Sequence, residues 1–361
     1  MTASSFESIL TDLVRQVGGP DRPGYLMLRG EPNPIVLVFA PREETPTFVF
    51  KGSRERLQAD GESSRLQHLR ESAPASFART IPRQLGTKTS ETGMSGVLFT
   101  ALPGSRLKDV SPGRVFGPST ADATLNTVTR WLAGFHEVAG KLQGQYPPAG
   151  RRALIEQPVE RYLNWFRVTD EEQALILEAS AGLPDPGTTG LPHCLGHGDF
   201  SPANVLWDEG RIGVIDFEYA LEPCLPLDDL LHFLASMKTT TSARDRENQR
   251  RGFFEEVFYG QGHLAQAARR AIRTLADRVT IAPETIEYLF VLCWVRLAVR
   301  SAEIQAHALG YRELLDDPDR LWKRLDAEPE EFLPTSRIAG GICGNVRQHV
   351  EMRERFSLAS R

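Results

Sequence analysis

The sequence predicts an α+β protein, with a small antiparallel β-sheet near the N-terminus followed by a larger, mostly helical part. Two patterns carry this expectation. Around residues 25–51, the short β-branched and aromatic runs GYLMLRG, PIVLVFA and TFVFK are separated by turns bearing Pro and Gly. Beyond residue 120, apolar residues recur instead at helical spacing over long segments. A third observation bounds the class: 361 residues, 41% hydrophobic and 25% charged, match an ordinary globular chain and exceed one typical domain.

The elements follow in order. MTASSFESILTDLVRQVGG carries Glu7 and Asp12 where a secretory leader would be apolar, so it is expected to form a first amphipathic helix. The three strands come next. Leu66 and Leu69 follow Glu62 at helical spacing, GVLFTAL returns to a strand pattern, and Pro103 with Gly104 punctuates the chain. We place a boundary there, between residues 1–102 and 103–361. Helices are expected over 120–142, 154–167 and 170–181, and several more from 227 to a C-terminal helical tail. Within this part the clear β signal is LGHGDFSPANVLWDEGRIGVIDFEYA, where NVLW and IGVID are joined by a short turn containing Gly210.

Several function classes are disfavoured by composition. A formal net charge of -5 leaves no general basic footprint for nucleic acid. The most apolar window, YLFVLCWVRLAV, contains Arg296 and falls short of the ~20 apolar residues of a membrane span, so a buried helix is expected. Four cysteines without C-x-x-C spacing suit buried thiols in a reducing cytoplasm. Tyr162 and Phe166 share a stripe with Ile155 and Val159, which favours core packing over a ligand pocket. Asp170, Glu171 and Glu172 open a helix, where carboxylates favour the N-terminal dipole. Arg296 and Arg300 share one helical face, suited to an ion pair or to an anionic acceptor.

The chemistry concentrates in residues 195–220. Phosphoryl transfer needs positioning and charge neutralisation more than covalent help. Asp199 and Asn204 lie on one loop, and Asp216 ends the second strand of the hairpin, where it can meet Asn204 and offer hard oxygen ligands to Mg²⁺. His197-Gly198-Asp199-Phe200-Ser201-Pro202-Ala203-Asn204, followed by Ile215-Asp216-Phe217-Glu218, resembles the catalytic signature of the aminoglycoside phosphotransferase and choline kinase family, which has a two-lobed protein-kinase-like fold.

The resemblance implies Asp199 as catalytic base, Asn204 and Asp216 as Mg²⁺ ligands, and His197 as a brace of the loop. It extends upstream. Lys51 stands where the family has the lysine on the α- and β-phosphates, and Glu62 where it has that lysine's partner. LFTALPG resembles the segment joining the lobes, whose backbone at Thr100, Ala101 and Leu102 would hold the adenine. Asp229 resembles the aspartate that steadies the catalytic loop. Two departures stand out. The phosphate loop, RGEPNPIVLVF, offers Gly30 alone with Pro32 and Pro34 nearby, so its grip would use Asn33 and backbone groups, and Phe200-Ser201 replaces the Leu-His often seen after the base.

These readings imply a cytoplasmic phosphotransferase using Mg²⁺ and ATP or GTP to phosphorylate a hydroxyl of a small molecule. Amino sugars of the aminoglycoside type are the first expectation, with choline-like, amino-acid and sugar acceptors as alternatives. A catalytically silent nucleotide-binding regulator is the reading from another class. A protein kinase is disfavoured because the short run from DFE to LPLDDLL leaves little room for an activation loop. Neither nucleic acid nor membrane is expected as a partner.

Overall fold

Phe6, Ile9, Leu10, Leu13 and Val14 recur at helical spacing and form the buried face of helix α1 (Ser4–Gln16). The computed structural model describes residues 4–29, 33–53, 56–91, 93–166, 168–237 and 246–308, with 317, 320, 346, 349 and 350 beyond them. Gly30, Cys343 and the tail after 333 with its GGICGN stretch, apart from residues 346, 349 and 350, lie outside the described residues. After α1 come β1 (Gly24–Arg29), β2 (Ile35–Phe39), β3 (Pro46–Ser53), α2 (Arg56–Ser72), the single turn α3 (Ala75–Ala78), β4 (Gln84–Thr89), β5 (Ser95–Thr100) and β6 (Ser105–Arg106). Next are α4 (Pro112–Val115), α5 (Ala121–Gly140), α6 (Gln157–Trp165) and α7 (Asp170–Gly182). The chain continues through β7 (Cys194–Gly196), β8 (Val205–Asp208), β9 (Arg211–Val214) and β10 (Glu222–Cys224) to α8 (Asp228–Ser236), α9 (Arg246–Phe258), α10 (His263–Arg278) and α11 (Ile286–Ala308).

One compact unit comprises Met1–Val110, Glu137–Gln145 and His197–Glu222. Its five-stranded sheet runs β1-β2-β3-β5-β4, every neighbouring pair antiparallel. Strand alternation assigns the two faces. Val36, Phe50 and Leu98 lie opposite one another in register and, with Val38 and Met94, bury against α1. Ile35, Lys51 and Val97 are likewise in register and take the other face. A Cβ on Gly96 would sit 2.4 Å from the Phe50 ring, so only a hydrogen fits there. β4 has no counterpart among the strands expected from sequence. Its QLGTKT is polar and carries Gly86, and it is a strand because it pairs with β5.

The same unit holds the three-stranded sheet β6-β8-β9. Glu209 (φ 47) and Gly210 (φ 88) form the two-residue turn between β8 and β9, with both φ values positive as a type I′ hairpin demands. Asp208 and Arg211 close the hairpin with an ion pair at 2.6 Å.

The second unit comprises Ser111–His136, Tyr146–Gly196 and Pro223–Arg361 and is mostly helical. Its core includes an edge-to-face aromatic cluster of Phe254, Phe258, Phe290 and Trp294 from α9 and α11. Arg296 is accommodated in apolar α11 because its Nε donates to Asp228 Oδ2 at 2.9 Å and its Nη1 to the Leu154 carbonyl at 2.8 Å. Tyr162, Trp165 and Phe166 are buried. Cys194, Cys224 and Cys293 are buried thiols. Among the described residues no helix is long and apolar enough to cross a membrane.

The acidic start of α7 is a capping box. Thr169 Oγ1 accepts from the Glu172 amide at 3.2 Å, and Glu172 Oε2 accepts from the Thr169 amide at 2.7 Å. Thr169→Ala is expected to lower stability by about 1 kcal/mol, read as a shifted urea midpoint at unchanged slope.

Candidate active site

Five of the charged or amide side chains singled out in sequence, Lys51, Glu62, Asp199, Asn204 and Asp216, belong to the first unit. Lys51 leaves β3 on the face away from α1 because it follows Phe50, which is buried against that helix. Glu62 lies one turn before Leu66 and shares its buried helical face, which turns Glu62 inward on α2. Lys51 Nζ donates to Glu62 Oε1 at 2.8 Å and to Glu62 Oε2 at 3.1 Å. It also donates to Asp216 Oδ1 at 2.9 Å, so one ammonium clasps two carboxylates brought from distant parts of the chain.

α2 holds the segment after β9 at two further points. Glu62 Oε1 accepts from the Phe217 amide at 3.1 Å, and Arg65 donates to the Glu218 carbonyl. Asp216 itself has φ 70, a left-handed conformation uncommon for a non-glycine residue, and this clasp over-determines it. Arg65 and Glu218 had no assigned role in the sequence reading. The available signals were the position of Arg65 one turn beyond Glu62, and the acidic residue inside D-F-E.

The loop before β8 is organised by Asn204. Its backbone amide donates to the Ser201 carbonyl and its carbonyl accepts from the Ile215 amide, both at 2.9 Å. Its side-chain Nδ2 donates to the Asp199 carbonyl at 2.9 Å and to Asp199 Oδ2 at 2.8 Å. Both Asn204 donors therefore converge on Asp199, leaving the amide oxygen as the end that can meet a cation. His197 is fully buried, with its ring 4.7 Å from Phe217 and 5.8 Å from Phe200. It packs both halves of the motif together.

Electrostatics follow from this crowding. Burial alone would lower the pKa of Lys51, but Glu62 and Asp216 outweigh it and raise it above the ordinary 10.5. Burial alone would raise Asp216, but Lys51, helped by His197 and Arg29, holds it below 3.8. Glu218 is pushed up by burial first and then by the charges of Asp216 and Glu62.

Asn204 and Asp216 offer two oxygen donors. Among the described residues no group of three or more His, Cys, Asp or Glu side chains is arranged to hold a metal. Such an open donor pair fits Mg²⁺, which takes few protein ligands and completes its shell with water and phosphate oxygens.

The remaining residues are placed less directly. Asn33 is exposed beside β2. The Thr100 and Ala101 amides donate within the unit, to the Arg83 and Thr47 carbonyls at 2.8 and 3.0 Å. Of the three linker amides, that leaves Leu102 as the one without a backbone acceptor among the described residues. Asp229 lies on α8 in the second unit, 4% exposed.

The phosphotransferase enzyme family (APH) model matches residues 38–263, more than half of the chain. No curated protein matches. Solved structures sharing the fold include a candidate aminoglycoside phosphotransferase from Ralstonia eutropha JMP134, 15% identical, with a TM-score of 0.61 and covering 97% of this chain and 99% of that one. A thermostable mutant of aminoglycoside phosphotransferase APH(4)-Ia, in ternary complex with ADP and hygromycin B, is 18% identical, with a TM-score of 0.55 and coverage of 94% and 98%. The GDP complex of aminoglycoside 2'-phosphotransferase-IIIa is 14% identical, with a TM-score of 0.50 and coverage of 88% and 98%. The family match spans the site, and the protein belongs to the phosphotransferase enzyme family, with a protein-kinase-like α+β fold.

Proposed function

We propose that the protein transfers the γ-phosphoryl group of ATP or GTP to a hydroxyl of a small molecule, an amino sugar of the aminoglycoside type being the first acceptor to test. The observation that carries this reading is the Lys51 clasp on Glu62 and Asp216, beside an Asp199 held by Asn204. Residues 1–102 would bind nucleotide, and residues 103–361 would supply catalysis and acceptor binding. A reducing cytoplasm, where nucleoside triphosphates are available and buried thiols persist, suits the chain.

In this reading Asp199 orients the acceptor hydroxyl and takes its proton, with the Asn204 amide fixing the carboxylate's direction. Lys51 meets the phosphates, and Glu62 holds it forward. Asn204 and Asp216 would hold Mg²⁺, which would neutralise charge on the phosphate oxygens. His197 would keep the catalytic loop in place, while the Leu102 amide would be the linker donor that meets a base. Asp199 and the half-buried Glu218 give the site carboxylates that attract a cationic acceptor, which supports amino sugars over neutral sugars.

The test is Mg²⁺-dependent ADP or GDP release across amino sugars, choline-like alcohols, amino acids and simple sugars. Acceptor-dependent release is expected, highest with an amino sugar. Nucleotide binding without release on any acceptor would favour a silent regulator instead.

A further inference from the structure

The phosphate loop poses a problem of charge. A nucleoside triphosphate brings several negative charges to a site where Glu62 and Asp216 already share one ammonium and Glu218 feels the charges of both. A glycine-rich loop would meet the phosphates with backbone amides, but RGEPNP is poor in glycine and contains two prolines, which have no N–H to give. Another donor is needed near the end of β1.

The register of the sheet supplies one. Leu26 pairs with Leu37 and Met27 with Val36, but the register then slips by one residue and Arg29, not Leu28, pairs with Ile35. Without that bulge Arg29 would have no place opposite Ile35. Ile35 in turn pairs with Lys51. Side chains of directly paired residues share a face of the sheet, so Arg29, Ile35 and Lys51 form one row, with Arg29 and Lys51 two strands or roughly 10 Å apart. A bulge beside an active site commonly re-aims a side chain in this way. Arg29 is exposed at the sheet edge, and among the described residues its guanidinium has no hydrogen-bond or ion-pair partner. Because that row carries Lys51, which bonds Asp216, Arg29 lies on the catalytic face of the sheet, and its charge helps hold Asp216 ionised.

We infer that Arg29 is a phosphate-binding residue, its guanidinium gripping the oxyanions of the bound nucleoside triphosphate from the sheet edge, opposite Lys51. The inference rests on the phosphotransferase reading and adds to it a cation that replaces the missing glycine-loop amides. A planar guanidinium presents its donors as a fixed fork that matches two phosphate oxygens, whereas a lysine acts as a compact point charge.

The test compares direct binding of ATP, GTP and the corresponding nucleosides to wild type, Arg29→Gln and Arg29→Lys. Arg29→Gln is expected to weaken triphosphate binding by about tenfold or more while leaving nucleoside binding unchanged, and Arg29→Lys to restore part of the loss. Intact nucleoside binding shows that the variant is folded. A wild type that prefers triphosphate, with an Arg29→Gln variant keeping that full preference, overturns the Arg29 assignment alone. A wild type that binds triphosphate no better than nucleoside overturns the phosphotransferase reading and this inference with it.

Discussion

Asp199→Asn is expected to lower kcat by ~10²–10⁴-fold, the usual contribution of a positioned general base, while nucleotide affinity stays within about twofold of wild type. Asparagine is the informative substitution because of Asn204. The Asn204 side chain donates to the Asp199 carbonyl and to its carboxylate, and an asparagine oxygen at position 199 can still accept the second of these bonds. The loop thus keeps its shape and loses only the proton acceptor. Asp199→Ala also removes an acceptor from the half of the motif that Asn204 organises, so its loss mixes chemistry with geometry. Steady-state kinetics with the acceptor identified in the panel, paired with nucleotide titration, separates the two. If Asp199→Asn turns over within tenfold of wild type, Asp199 is not the base.

Much of this site was legible because its residues sit in local patterns. H-G-D followed five residues after the Asp by Asn, then I-D-F, lies in two short runs flanking a hairpin whose turn is announced by Gly210. Lys51 ends a strand pattern, and Glu62 precedes Leu66 and Leu69 on a helix pattern. What escaped depends on pairing between segments distant in sequence. β4 is too polar to announce itself and exists through its ladder with β5. The bulge that brings Arg29 opposite Ile35 is a property of two strands together, and no spacing within YLMLR encodes it. Arg296 was open between an ion pair and an anionic acceptor; only the fold shows Asp228 and the Leu154 carbonyl around it within the helical unit. The linker is a similar case, since the sequence could place Thr100, Ala101 and Leu102 there but could not show that two of the amides are spent on Arg83 and Thr47.

Lys51→Met is expected to abolish efficient turnover and also to destabilise the protein in a pH-dependent way, because the ammonium is a clasp as well as a phosphate cation. Removing it leaves Glu62, whose side chain is 10% exposed, facing Asp216, which is 40% exposed. Breaking a fully buried pair costs about 3–5 kcal/mol; with Asp216 partly in water, roughly 2 kcal/mol is expected at neutral pH. In wild type Asp216 is held below its ordinary 3.8, so its contribution is present above that value and lost as pH falls through its folded-state pKa. Lys51 is held above 10.5, so its contribution is fully present below that value and lost as pH rises through its folded-state pKa. Both contributions are therefore present near neutrality, where the variant lacks them. Without the ammonium, Asp216 no longer gains from ionising in the folded state and takes up a proton more readily, so the variant's deficit should shrink as pH is lowered toward 4. Urea denaturation of both proteins at pH 7.5 and in mild acid measures this directly. A deficit equal at both pH values would mean that the methionine disturbs packing rather than charge. Lys51→Met/Glu62→Gln then completes the cycle: removing the opposing charge should recover part of the stability and none of the activity, since a clasp can be relieved by neutralising its partner but a phosphate contact cannot.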